Sequence, residues 1–363
     1  MMKKKWIAVP VVLIWAVLIG LSWFGPDKAL SASERRPLAQ KPQMQMQSVL
    51  SGKFMTDFGK YSLDQFPMRD GFRRIKAQFH QKVLGQKDNN GIYLSQGGAA
   101  KQEYPLNKAS VNHALERFQM IYEKFLGDSR VFMAVVPDKG YYLAEKTGHL
   151  ALDYETMFQM VRQGMPWAEH IDLTQSLSAE DYYRTDTHWR QEELLPAAEK
   201  LCQALGVQPP RPDAYTKTGL DRPFYGVYYG QAALPMEPDT MYLLESPLLS
   251  ECTVEDFETG KMGTVYDWNK LESPDLYDVY LSGARALLTI ENPNAATDRE
   301  LIIFRDSFGS SMAPLLVTDY AKVTLVDIRY LRGDLLDQVV DFHGQDVLFL
   351  YSTLVLNNSS GIK

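Results

Sequence analysis

The feature that most constrains this chain is an alternation of amphipathic helical periods with short apolar runs. Val111, Leu115, Phe118, Tyr122 and Phe125 recur at helical spacing, predicting a helix over 110–126, and the run Val131–Val136 follows closely. An apolar run of that length after such a helix reads as a parallel strand buried on both faces, because its crossover helices must cover the sheet. The alternation continues with a helix over 154–162, a strand near Ile171 and a helix over 191–205. Further on come a strand over 301–304, a helix from Ser307, and strands over 323–327 and 347–351. The expected architecture is a doubly wound parallel α/β sheet with helices on both faces. From about 206 to 281 the pattern lapses into a Pro-, Gly- and Tyr-rich stretch carrying Phe224, Tyr225, Tyr228 and Tyr229. This predicts an excursion from the sheet, whose aromatics either shape a ligand site or pack the excursion itself.

The start of the chain reads differently. Lys3, Lys4 and Lys5 precede an uncharged stretch from Trp6 to Phe24 that would span about 28 Å as a helix, the length of one bilayer crossing. Residues 1–24 are therefore expected to be a cytoplasmic basic stub and a transmembrane signal-anchor; a cleaved leader, with Ala29 to Ser33 as its weak site, is the alternative. The three lysines at the near edge predict a single-pass protein of the cell membrane with its C-terminal domain outside the cytoplasm. Residues 25–47, rich in Pro, Ser, Gln and charge, read as a flexible tether, leaving 48–363 for the α/β domain. Within it, Phe72, Ile75, Phe79 and Val83 predict a helix over 69–84 that Gly85 ends. A net charge of −7 and the lack of a basic run interleaved with aromatics exclude a nucleic-acid partner and favour a neutral or cationic ligand. Cys202 and Cys252 fit no metal spacing and are either one disulfide or two buried thiols.

Two short segments carry candidate chemistry. Leu301 to Ser311 reads as a buried strand, a tight turn and a helix start, with Ser307 at the turn. A serine there has free backbone N–H groups and the positive end of the helix dipole beside it, both suited to a developing oxyanion; the plainer role is a helix N-cap. Ser311, in a near match to the G-x-S-x-G elbow, is a rival placed a turn inside the helix. The second segment is Tyr183 to Trp189, where Asp186 and His188 lie two apart on a non-helical turn. The carboxylate is then placed to accept Nδ1–H and leave Nε2 for a nucleophile, although the same pair also serves to tie down a loop. The remaining histidines form no metal-binding pattern, so neither a metal nor a cofactor is expected.

Asp186-Thr187-His188-Trp189 followed by Arg305-Asp306-Ser307-Phe308 resembles the DHHW family and the SGNH-like acyltransferases of the alginate O-acetylation type. Asp64 to Asp70, Asn89 to Tyr93, Val136 to Lys139, Phe224 to Gly226 and Asp327 to Tyr330 are similar to the same pattern, so the likeness covers most of the soluble part. It implies an SGNH-hydrolase-like fold with Ser307 as nucleophile, His188 as base and Asp186 as its orienting carboxylate. It also implies Gly283, Arg305, Tyr225, Gly226 and Tyr228 as candidate oxyanion or substrate contacts. Two positions depart from the family: Thr187 stands where its first histidine would be, and Ser282-Gly283-Ala284-Arg285 lacks the asparagine of a Gly-Asn oxyanion pair. The implied activity is O-acetyl transfer to a secreted or cell-surface polysaccharide through an acyl-serine. The implied partners are the polysaccharide acceptor and a multi-pass membrane acyltransferase as donor. A carbohydrate acetyl-esterase with the same three residues, and a non-catalytic envelope assembly module, are the alternatives.

Overall fold

The computed structural model describes residues 2–31, 33–95 and 98–363, without the side chains of 2–8 and Val11. The chain divides into two compact units, one formed by Met1–Asn90 with Tyr229–Pro235 and the other by Gly91–Tyr228 with Met236–Lys363.

The first unit is helical. Helices span Met2–Phe24, Lys53–Asp64 and Arg69–Lys82, and a two-residue strand pair joins Leu30–Ser31 to Arg36–Pro37. Arg36 forms a fork on Asp64, with Nη1 to Oδ2 at 2.9 Å and Nη2 to Oδ1 at 2.6 Å, and holds that carboxyl down at about 2. Among the described residues no helix is long and apolar enough to cross a membrane, which overturns the expected transmembrane span over the N-terminal helix. That expectation rests in part on side chains outside the described residues. Those described run unbroken only from Val12 to Phe24, about 20 Å of helix against a hydrocarbon core of roughly 30 Å.

The second unit is built on an eight-stranded sheet. In chain order its strands are β1 (Val131–Val136), β2 (Glu169–Ile171), β3 (Thr253–Asp256), β4 (Lys261–Gly263), β5 (Leu287–Glu291), β6 (Glu300–Arg305), β7 (Lys322–Val326) and β8 (Asp346–Ser352). They lie in the order β4-β3-β5-β7-β6-β8-β1-β2. From β7 to β2 every pairing is parallel, whereas β4, β3 and β5 are antiparallel. The sheet is thus mixed, which corrects the expectation of a purely parallel one. The segment read as an excursion supplies β3 and β4 to the edge of this sheet, and a separate antiparallel pair, Thr216–Phe224 with Asp239–Glu245.

The central strands are apolar on both sides because both faces are covered. Leu301, Ile303, Leu348 and Leu350 face one core with helix Leu195–Leu205, while Ile302, Phe304, Val347 and Phe349 face another with helices Lys108–Phe125 and Tyr154–Gly164. Helix Lys108–Phe125 buries Val111, Leu115 and Phe118 of the predicted stripe together with Ala114 and Ile121, while Tyr122 and Phe125 are half-buried, and Asn107 caps it by accepting the Ser110 N–H at 3.1 Å. The helix expected over 191–205 begins later, at Leu195, after a single 3₁₀ turn over Gln191–Glu193; Pro196 suits the first helical turn and not its interior. Cys202 and Cys252 are buried free thiols, and burial pushes them up to about 12 and about 11.

Candidate active site

Ser307 stands two residues beyond the carboxyl end of β6, in the turn before helix Gly309–Leu316. The helix therefore starts at Gly309 and not at Ser307, so the serine is not its N-cap. The turn is held by Asp306, whose buried carboxylate accepts the Phe308 N–H at 3.0 Å through Oδ1. Its Oδ2 accepts the Ser352 N–H at 2.8 Å and the Ser352 hydroxyl at 2.6 Å, tying the turn to the end of β8. Three donors on one carboxylate fix the backbone beside Ser307 while leaving its side chain half-exposed.

Asp186 and His188 lie in a tight loop closed by an antiparallel bridge between Tyr182 and Trp189 and by the Tyr183 N–H donating to the His188 carbonyl at 3.0 Å. Within the loop His188 Nδ1 is 2.6 Å from Asp186 Oδ2. The other carboxylate oxygen, Oδ1, accepts the Val227 N–H at 2.6 Å. His188 Nε2 lies 2.7 Å from Ser307 Oγ. The imidazole is buried between Tyr277, which stacks on it, and the ring of Phe308. Such an arrangement can move a proton from the hydroxyl to Nε2 while the carboxylate fixes the ring and stabilises its charge.

Trp189 joins the two segments. Its buried indole Nε1 donates to Ser311 Oγ at 2.9 Å and to the Phe308 carbonyl at 3.2 Å. Ser311, the rival nucleophile, is wholly buried and also pairs with the Tyr277 hydroxyl at 2.7 Å, so it anchors the wall of the site and does not face solvent.

The other sequence candidates divide. Gly226 sits where backbone must touch backbone: a Cβ there would fall on Asp186 and on the Thr185 carbonyl, and its N–H donates to Thr185 Oγ1 at 2.8 Å. Tyr228 is buried, with its hydroxyl donating to Thr187 Oγ1 at 3.1 Å, while Tyr225 is exposed. Arg305 is buried under the turn, reaching Ser310 Oγ at 3.1 Å, and so props the helix start. Gly283 has φ +82°, but its N–H already donates to the Tyr280 carbonyl at 3.1 Å, which removes it as an oxyanion donor. Among the described residues the Ser307 N–H makes no hydrogen bond.

Sequence reasoning passed over Tyr277, Asp306 as an anchor, and Lys139. The last is buried, with Nζ donating to the Tyr183 carbonyl at 2.9 Å and lying 5.0 Å from the centre of the Tyr228 ring; burial holds its ammonium down to about 8. The Asp138-Lys139 pair in an otherwise apolar stretch was the available signal, since a lysine that must be buried needs a carbonyl or ring for a partner.

A serine at the exit of a parallel strand, met by a buried His-Asp pair on a helix-covered sheet, defines an α/β protein with a hydrogen-bonded Ser-His-Asp line at a strand end. Residues 157–326 match the family model described as DHHW protein, and the family reading made from Asp186 to Trp189 stands. Among solved structures, a DHHW family protein from Eubacterium siraeum is 22% identical and shares 76% of this chain and 95% of its own, with a TM-score of 0.62. Bacillus cereus PatB1, solved with a sulfonyl adduct, is 16% identical over 73% of this chain and 95% of its own, with a TM-score of 0.57. The O-acetyltransferase domain of Pseudomonas putida AlgJ is 15% identical over 74% and 92%, with a TM-score of 0.44. For the first two, at these identities, the likeness is one of fold. No sequence among the curated proteins matches.

Proposed function

We propose that this chain is a serine acyltransferase that moves an acetyl group onto a carbohydrate hydroxyl. The observation that carries the reading is the continuous line from Asp186 Oδ2 through His188 to Ser307 Oγ, with links of 2.6 and 2.7 Å. In the first half-reaction Ser307 Oγ attacks the acetyl carbonyl carbon of the donor as its proton passes to His188 Nε2. The tetrahedral intermediate then expels the donor's leaving oxygen, which takes that proton. In the second, a sugar hydroxyl gives its proton to Nε2 and attacks the acyl-serine, and the intermediate expels Ser307 Oγ, which takes that proton back. The Ser307 N–H is the candidate donor to the oxyanion in both.

The choice of polysaccharide as acceptor and of a separate membrane acyltransferase as donor rests on the DHHW and alginate-type resemblance. PatB1, a relative in fold, has been solved with a sulfonyl adduct. The test is to incubate the chain with an aryl acetate and digest it for mass spectrometry. One acetyl group is expected on the peptide holding Ser307, discharged faster when an oligosaccharide is added. Acetate released to water at a rate no carbohydrate changes would make the protein an esterase, and an unmodified Ser307 would remove the acyl-serine altogether.

A further inference from the structure

A groove of about 420 Å³ lies at the antiparallel edge of the eight-stranded sheet, beside β3 and β4. Its floor includes the buried Leu288, and the indole of Trp268, 46% exposed, stands on its wall. Polar groups converge there: Arg285 Nε pairs with Asp256 Oδ2 at 3.0 Å, and Asp267 accepts the Ser282 hydroxyl at 2.7 Å and Asn269 Nδ2 at 3.1 Å. Among the described residues the Nη fork of Arg285 is nearly unused, its hydrogen bond being a 3.5 Å contact with the Ala284 carbonyl. A large apolar ring sharing a groove with planar polar side chains suits a pyranose, which offers a C–H face on one side and hydroxyls around its edge.

The groove also opens at the end of the sheet where Ser307 stands. Asp256 pairs with Leu288, the neighbouring Leu287 with Val326, and Val326 with Phe304, a row that ends one residue before Arg305. Three strand spacings separate β3 from β6, on the order of 15 Å. The intervening loop touches both sites: it carries Asp267 and Trp268 at the groove, Tyr277 against the His188 ring, and Ser282 and Arg285 at the groove again.

We infer that this groove is a subsite for the acceptor glycan, holding one sugar ring against Trp268 with its hydroxyls at Asp256 and Arg285, so that a chain of several sugars runs from it towards Ser307. The inference rests on the acyltransferase reading for its orientation and names the substrate class of that reaction. It also predicts dependence on ligand length, since one ring cannot reach from Trp268 to Ser307.

The test is calorimetric titration of the full chain, without acyl donor, with cellohexaose, chitohexaose and hexamannuronate, covering neutral, N-acetylated and acidic sugars. At least one should bind, its disaccharide at least tenfold more weakly. Trp268→Ala should weaken the hexamer at least tenfold, with Trp268→Phe in between. Because Trp268 is nearly half exposed, the variant should stay folded, as a single cooperative thermal unfolding transition would show. If none of the three binds, or if Trp268→Ala binds as tightly as the unaltered chain, the groove is not the subsite. Acetyl loading of Ser307 is read separately, so a chain that loads Ser307 but binds no glycan loses only this inference. One that binds glycan but never loads Ser307 loses only the transfer reading.

Discussion

The His188 imidazole lies flat on the ring of Tyr277, their centroids 3.9 Å apart and their planes 9° from parallel. Burial pushes the Tyr277 phenol well up, so it stays neutral and donates to or accepts from Ser311 Oγ at 2.7 Å. Tyr277 is thus a wall that fixes the plane in which Nε2 meets Ser307. Tyr277→Ala should lower kcat by about 10–100-fold through loss of that alignment. Tyr277→Phe, which keeps the ring, should cost about 1 kcal/mol of stability and much less activity, read by steady-state kinetics and thermal unfolding.

Ser307 and His188 are expected to fail as a unit. Ser307→Ala or His188→Ala alone should remove most aryl acetate turnover, and the double variant should lose little more. Asp186→Asn should also cost heavily, because an amide at Nδ1 favours the wrong imidazole tautomer. Additive losses would show that the two side chains do not act on one proton.

Gly226 should tolerate no side chain. A Cβ there meets Asp186 Cα and Cβ and the Thr185 carbonyl, all of them rigid, so Gly226→Ala must displace the carboxylate that orients His188. The expected cost is about 1–3 kcal/mol in denaturant unfolding, with a drop in kcat larger than the loss of folded protein explains. Equal losses of activity and folded fraction would restrict Gly226 to packing.

Asp306 serves the turn and not the proton. Asp306→Ala strands the Phe308 N–H and both Ser352 donors, and should destabilise by at least 3 kcal/mol, at about 1–3 kcal/mol per stranded group. Asp306→Asn keeps one acceptor oxygen but points an amide at donors, so it should fall between. Urea unfolding monitored by tryptophan fluorescence measures both.

Alkaline stability should track the two thiols. An unperturbed thiol titrates at 9.0, and burial raises Cys202 to about 12 and Cys252 to about 11. Below about pH 9 both are protonated whether folded or not and give no slope. Above it the unfolded chain loses thiol protons that the folded chain keeps, so stability falls as pH rises towards 11 to 12. Replacing both by alanine should flatten that fall between pH 9 and 10.5 relative to the parent, whatever it costs at pH 7. A thiol reagent should label neither cysteine in the native chain and both in urea.

How much of this was written in the sequence differs by element. Strands β1, β6, β7 and β8 announce themselves because burial on both faces leaves unbroken apolar runs, and helix Lys108–Phe125 because one buried stripe imposes a period. Ser307 and the Asp186-His188 turn were legible for a similar local reason: a strand exit and a two-residue spacing restrict what a side chain can reach. What the sequence could not show is the closure of the site. His188 and Ser307 are 119 residues apart and meet because Trp189 reaches across to Phe308 and Ser311, and Gln191 to the Ser311 carbonyl. Tyr277, inside a stretch with no period, becomes the wall of the imidazole only once that stretch folds back over the sheet. The antiparallel edge β3, β4 and β5 was hidden for the same reason: short, partly exposed strands carry no long apolar run, and their place is set by pairing with β7. Gly283 carried the signal of a loop glycine, yet its N–H is spent on Tyr280, a hydrogen bond that depends on the turn the tertiary fold imposes. Local chemistry was determined by residue type and spacing; its convergence was decided by long-range packing, which no local pattern encodes.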